Sequence, residues 1–331
     1  MLNEMTTKNQ TNSESDSVSP NAVLPLESLR RQLNQTIIGK PDVVDLVIAC
    51  LLARGHLLFD DLPGLGKTTL AKGIAQSIDG RFARIQCTPD LMPSDITGFS
   101  VFDSKNHTFE FRRGPVFADL LLADEINRAT PRTQSALFEA MAERQVTADN
   151  QTLQLTPSFI VIATQNPVES HDAYPLPEAQ LDRFTMKLSI GYPMRSAEVH
   201  LLGNSIQRQS EKTKLDPVLN LDQLEAIQDE VACVEVCEFI REYLVDLGTA
   251  TRNHSDVVLG VSPRGLILWQ RAAQAWAYMQ NRNFVIPEDI QVVARPVLRL
   301  RIPGNIEKCD FIIQEILKSV PVPNETNARS K

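Results

Sequence analysis

The chain of 331 residues has no uninterrupted apolar run of the ~18 residues that crossing a bilayer as a helix requires. Its opening stretch, MLNEMTTKNQTNSESDSVSP, lacks an apolar core, so it is not a secretory signal. The same stretch lacks aromatics and reads as a disordered tail. Positive charge is in deficit: 33 Lys and Arg stand against 41 Asp and Glu, a net charge of −8. That argues against non-specific polyanion binding, nucleic acid included, which needs a basic face; a local basic channel stays open. Cysteine is sparse. Cys50, Cys87, Cys233, Cys237 and Cys309 are scattered and odd in number, which suits a reducing, cytoplasmic compartment. Cys233 and Cys237 stand i,i+4 in a predicted helix with no further ligands nearby, so two small core-facing residues are expected there and not a metal site. No internal repeat is evident.

What remains is a globular composition, 43% hydrophobic and 22% charged, over a length sufficient for two modest domains. LESLRRQLNQTIIGK reads as a helix running into a loop. PDVVDLVIACLLARG is a second helix, with Pro41 at its start and Gly55 at its end. Then HLLFD, FARIQC, ADLLLADE, SFIVIATQN and TMKLSI are short apolar runs of strand length, separated by the helical patterns TTLAKGIAQSI and PRTQSALFEAMAE. Strand and helix alternate to about residue 192, which implies an α/β fold with a mostly parallel sheet. Two segments break the rhythm as β-hairpins: GFSVFDSKNHTFEFRRG, and RQVTADNQTLQLTP around Asp149-Asn150. From about residue 195 the apolar spacing is helical. Ser262 is placed as an N-cap before Pro263, Pro287 with two acids opens another helix, and Trp269 and Trp276 share a core face. The expected boundaries are a tail over 1–22, an α/β domain over 23–192, a smaller all-α domain over 193–320 and a C-terminal tail over 321–331.

Between the first strand and its helix lies DDLPGLGKTT, nearly the phosphate loop G-x-x-x-x-G-K-[ST]. Gly66, Lys67 and Thr68 are in place, but Asp61 stands where the first glycine belongs. Backbone N–H groups of such a loop hold a polyphosphate, Gly64 and Gly66 allow close approach, Lys67 supplies a point charge and the Thr68 hydroxyl can ligate Mg²⁺. The competing reading is an ordinary Gly-Lys helix start. A second element lifts the match above it: LLLADE ends an apolar strand on Asp124-Glu125, where a Mg²⁺-directed carboxylate and a base for attacking water belong. Asn166 ends the next apolar run and can orient that water; alone, a turn Asn before Pro167 would be the better reading. Arg183 in LPEAQLDRF is the group type that stabilises a transferred phosphoryl, against a plain Asp182–Arg183 surface pair. Arg264 in GVSPRGL sits in a first helical turn, where positive charge opposes the helix dipole, a broken local rule that marks a functional candidate.

In this order IIGK, PGLGKTT, LLLADEINRATPRTQSALFEAM, ATQNP, LPEAQLDRF and SPRGL resemble the AAA+ ATPases, and within them the MoxR family, over about residues 25 to 315. The resemblance implies a Walker A loop at Pro63, Gly64, Leu65, Gly66, Lys67, Thr68 and Thr69, and Walker B acids Asp124 and Glu125. It makes Asn166 sensor 1, Arg183 an arginine finger acting across a subunit boundary, and Arg264 the lid arginine called sensor 2. Ile37 and Ile38 become adenine-side contacts. The hairpins near 99–111 and 145–156 become the clade's insertions within helix 2 and before sensor 1, and Arg128 is a further candidate for phosphate or a neighbour.

By this resemblance the protein is an ATPase using ATP and Mg²⁺, a homo-oligomeric ring of hexameric type. It remodels or matures a client complex, often with metal-centre insertion, beside a separate protein bearing a von Willebrand factor A domain. Three alternatives stay open: a nucleotide-gated binding module with negligible hydrolysis, a DNA motor of the same clade, and a magnesium-chelatase-type subunit.

Overall fold

A computed structural model describes residues 20–148, 151–166, 174–208, 215–302, 304 and 306–323. Most of the predicted tails, 1–19 and 324–331, and the Asp149-Asn150 turn lie outside these residues. Helix α1 (Pro20–Thr36) begins inside the stretch 1–22 expected as tail and carries Pro25 within it. It is followed by α2 (Pro41–Leu52) and the strand β1 (Leu57–Asp60). Then come α3 (Lys67–Ser77), β2 (Phe82–Gln86) and the short α4 (Pro93–Thr97). The first hairpin, β3 (Gly98–Asp103) with β4 (Thr108–Arg113), leads to β5 (Leu120–Asp124) and α5 (Pro131–Glu143). The second, β6 (Gln145–Ala148) with β7 (Gln151–Gln154), precedes β8 (Ile160–Gln165). The one-turn α6 (Glu178–Leu181) and β9 (Met186–Leu188) close the α/β part. Both predicted hairpins form as antiparallel pairs outside the main sheet.

The main sheet is parallel, in the order β2-β5-β8-β1-β9. Its central strands β5, β8 and β1 are apolar almost throughout because both faces are covered. Leu57, Phe59, Leu120, Leu122, Ile160 and Ile162 face one side, where α1, α2 and α3 pack. The alternate residues Leu58, Leu121, Ala123, Val161 and Ala163 face the other, with Leu137 and Phe138 of α5. The period of two thus sorts one strand sequence into two cores.

The C-terminal part is all helical: α7 (Arg195–Arg208), α8 (Leu221–Ala232), α9 (Glu238–Asn253), α10 (Pro263–Met279), α11 (Pro287–Leu298) and α12 (Ile306–Ser319). Ser262 caps α10 by accepting from the Gly265 N–H at 2.9 Å, with Pro263 in the first turn where its missing N–H costs nothing. Trp269 is fully buried and donates its indole N–H to the Ile290 carbonyl at 2.9 Å; Trp276 packs against the same core. This helical core is continuous with one face of the sheet, since α10 and α8 both pack on α2. One sequence expectation fails here. Cys233 follows α8 as its C-cap and is exposed, while Cys237 is the N-cap of α9, so the two flank a turn and do not share a helix. Spacing alone could not see the break, because no Gly or Pro stands between them.

His56 fixes the entry to β1. Its Nδ1 accepts from the Val161 N–H at 3.0 Å, so its Nε2 carries the proton and donates to the Met141 carbonyl at 3.1 Å. Burial is the main reason its pKa is pushed down from 6.5 to about 4. The unfolded chain takes up a proton near pH 6.5 that the folded chain refuses until about pH 4. The stabilisation is therefore complete above pH 6.5 and is lost as pH falls through this window. Denaturant unfolding at pH 7 and pH 4.5 should show wild type losing about 2 kcal/mol more stability than His56→Asn. Equal losses would mean that His56 titrates normally in the fold.

Candidate active site

A cavity of about 310 Å³ opens at the C-terminal ends of β1, β5 and β8, the position where parallel α/β sheets bind ligands. Pro63, Gly64, Gly66, Lys67, Thr68 and Thr69 line one side of it. Gly64 and Gly66 hold φ of 84° and 91°, the left-handed region that a side chain disfavours. Gly66 also N-caps α3, so the helix N-terminus with its unpaired N–H groups faces the cavity. Ile37 packs against the loop from behind: a Cβ on Gly66 would lie 2.9 Å from its Cδ1. Ile37, Ile38 and Leu65 do not themselves line the cavity. Lys67 donates to the carbonyls of Asp61 and Leu62 at 2.8 and 2.9 Å. Burial pushes its pKa down, and the carboxylates of Asp61, Asp124, Asp60 and Glu125 pull it back.

Asp124, Glu125 and Asn166 line the facing wall. Asp124 is buried at the end of β5; its Oδ1 accepts from Thr164 Oγ1 at 3.2 Å and its Oδ2 from Arg84 Nε at 2.6 Å. The Glu125 N–H donates to that same Thr164 hydroxyl at 2.9 Å, so one side chain on β8 orients both acids. Glu125 itself is left-handed, at φ 57° and ψ 49°. For a glutamate that conformation costs on the order of 1 kcal/mol and is typical of functional positions. Its Oε2 accepts from Arg128 at 3.2 Å.

Arg183 and Arg264 are not in this cavity. They are brought near one another: Arg264 is among the causes that lower the Arg183 pKa, after burial. The Arg183 guanidinium lies over the Phe138 ring at 5.6 Å, and its buried Nε has no hydrogen-bond partner. The Asp182–Arg183 surface pair weighed as the plain alternative does not form. Asp182 instead accepts from Arg301 Nε at 3.0 Å and from Ser262 Oγ at 2.6 Å, joining the α/β part to the cap of α10.

The sequence comparisons agree with this geometry. A family model described as the ATPase family associated with various cellular activities (AAA) matches residues 56–186, and an AAA lid domain model matches 249–316. YeaC of Bacillus subtilis is 46% identical, covering 89% of this chain and 94% of its own. Chaperone MoxR1 of Mycobacterium tuberculosis is 34% identical, covering 90% and 82%. The chain belongs to the MoxR family of AAA+ ATPases. The solved structure of a Cytophaga hutchinsonii protein superposes with a TM-score of 0.82 at 34% identity, covering 92% of this chain and 96% of that one.

Membership in the MoxR family carries nucleotide binding with it, and the donor chemistry here fits a magnesium nucleotide. Thr68 and Asp124 offer the hard oxygens that Mg²⁺ prefers, in a cavity where carboxylates outnumber ammonium groups. Arg84, Gln86, Thr164 and Gln165 also line it and were missed from sequence. The pairings Gln86↔Asp124 and Asp60↔Gln165 bring the end of β2 level with that of β5 and the end of β1 level with that of β8, which needs the strand order that sequence does not give.

Asp61 also lines the cavity, but its backbone is not strained and its carboxylate is engaged elsewhere. It keeps a negative φ, so no glycine is required there. Its buried carboxylate accepts from Ser189 Oγ at 2.7 Å, from the Ile190 N–H, and from the Gly191 N–H at 3.3 Å. It ties the phosphate loop to the segment leading from β9 to the lid. Asp61→Gly should bind ATP within about threefold of wild type in calorimetry but lose about 2–3 kcal/mol of unfolding free energy with those bonds. A tenfold gain in ATP affinity would show instead that the carboxylate repels the nucleotide.

Proposed function

We propose that this chain is an ATP-hydrolysing, ring-forming chaperone whose active sites are completed between subunits. The observation that carries the reading is the separation of charge. The cavity gathers the phosphate loop, Asp124, Glu125 and Asn166, while Arg183 waits with Arg264 outside it, its Nε unpaired. Phosphoryl transfer needs all of these groups at one γ-phosphate. A neighbouring copy that seats its Arg183 corner against this cavity would bring them together, as heterologous ring interfaces allow.

In this mechanism the loop N–H groups and Lys67 hold the phosphates, and Thr68 with Asp124 would hold Mg²⁺. The ion, if bound, would neutralise phosphate charge. Asn166 orients a water toward the γ-phosphorus, and Glu125 takes its proton as the new P–O bond forms and the bond to ADP breaks. Arg183 and Arg264 of the neighbour stabilise the charge on the transferred group. Ile37 supports the loop and, with Ile38, borders the adenine side.

The client work is read from relatives. Chaperone MoxR1 supports remodelling or maturation of a client complex, and the family resemblance supports a von Willebrand factor A domain partner and metal-centre insertion. Free cysteines throughout the described residues support a reducing cytoplasm. The Glu125–Arg128 pair favours one competing reading, a nucleotide-gated module in which the base stays locked.

Phosphate release with Mg²⁺ decides between them. Glu125→Gln should lower it about 10²-fold or more, and Arg183→Ala about 10³-fold. Mixing the two inactive variants should restore part of the activity, because each supplies what the other's interface lacks. Wild-type release no higher than that of Glu125→Gln would leave the gated module; mixing without recovery would place Arg183 in its own subunit's site.

A further inference from the structure

Lys67 and Arg84 are the cationic side chains lining the cavity among the described residues, and they are used differently. Lys67 is held by loop carbonyls. Arg84 reaches from β2 to Asp124, Nε to Oδ2 at 2.6 Å, while its Nη2 donates to Gln86 Oε1 at 3.3 Å. With Thr164 on Oδ1, both oxygens of Asp124 are occupied.

A carboxylate this buried needs a counter-charge, and here a guanidinium provides it. Arg84 is not needed to hold β2 in place. Five residue pairs register β2 on β5, and Arg81 grips Asp119 at the opposite end through its backbone N–H and guanidinium. Nor is Arg84 locked in: β2 is an edge strand and about half of the Arg84 side chain is exposed. It can swing into solvent without disturbing a core. It cannot lose its charge, so a guanidinium and a divalent cation on one carboxylate repel each other and compete for it.

We propose that Arg84 is a built-in counter-ion to Asp124 that competes with magnesium for its charge, so that it sets the magnesium dependence of nucleotide binding. This rests on the magnesium-nucleotide reading above. ADP is the suitable probe, because it lacks the γ-phosphate that would offer a released Arg84 a second anion.

The test uses the full chain, with ADP bound in chelator and magnesium then titrated in, following a fluorescent ADP analogue. Each variant is referred to its own magnesium-free binding. Arg84→Met should lower the half-saturating magnesium concentration about tenfold, and Arg84→Lys should stay within about threefold of wild type, since it keeps the charge. In an Asp124→Asn background the Arg84→Met change should shift nothing. An unchanged or higher midpoint in Arg84→Met would overturn the proposal, as would an equal shift in the Asp124→Asn background. Wild type that binds ADP neither with nor without magnesium would instead overturn the nucleotide reading itself.

Discussion

Four carboxylates converge where β1 and β5 end, and the rest of the site is arranged around giving each of them a partner. Asp60 pairs with Lys187 of β9 at 2.5 Å. Asp61 takes donors from residues 189–191. Asp124 is shared by Arg84 and Thr164, and Glu125 is met by Arg128. Unpaired, such groups could not be buried together, since like charges at this range and dielectric repel by several kcal/mol. Their partners come from β2, β8, β9 and the turn after β5. Neutralising the site is therefore also what fastens the strand ends to one another.

The same economy reaches the lid. Asp61 fixes the start of the segment that leaves the sheet, and Asp182, which precedes β9, ties the α/β part to Ser262 and to Arg301, which is buried and also donates to the Val297 carbonyl at 2.8 Å. Gly265 keeps this joint tight: a Cβ there would lie 2.6 Å from Arg301 Nε. The apolar core behind it runs unbroken from the sheet through α2 into α10 and α11. The lid is thus not a separate body on a loose tether. Motion between the two parts has to work against packed helices and two carboxylate ties, one beside the phosphate loop and one beside Arg183.

Much of this was legible in the sequence, for reasons that can be named. The strands were visible because a parallel sheet buried on both faces leaves continuous apolar runs, and LLLAD and FIVIA have no other use. The helix starts were visible because Pro and Ser mark orphan N–H groups, as at Ser262 and Pro287. Pair partners were not. Nothing local in FARIQC says that Arg84 will meet a residue 40 positions later, since that contact depends on β2 lying beside β5. Asp61 stood out in the sequence, but what it holds did not. The loop takes positive φ at Gly64 and Gly66, which leaves the first position free for a residue that grips positions 189–191, far along the chain.

The distribution of charge also limits how the parts can be used. One face of the molecule holds carboxylates that outnumber their local ammonium group, and another holds Arg183, Arg264 and Arg301 close enough that each of the first and last is disfavoured by Arg264. Arg301 is relieved by Asp182, whereas Arg183 lies on the face of Phe138 with the charge of Glu143 acting on it, and carries a buried, unpaired Nε. A buried donor left open costs about 1–3 kcal/mol, a standing incentive to acquire an acceptor. The cavity alone cannot supply one, because its own carboxylates are already engaged. On the proposed reading, an anion held by the phosphate loop of another copy can. On the proposed reading, nucleotide is thus part of what makes the subunit interface favourable, so assembly and hydrolysis are linked by the same unsatisfied group.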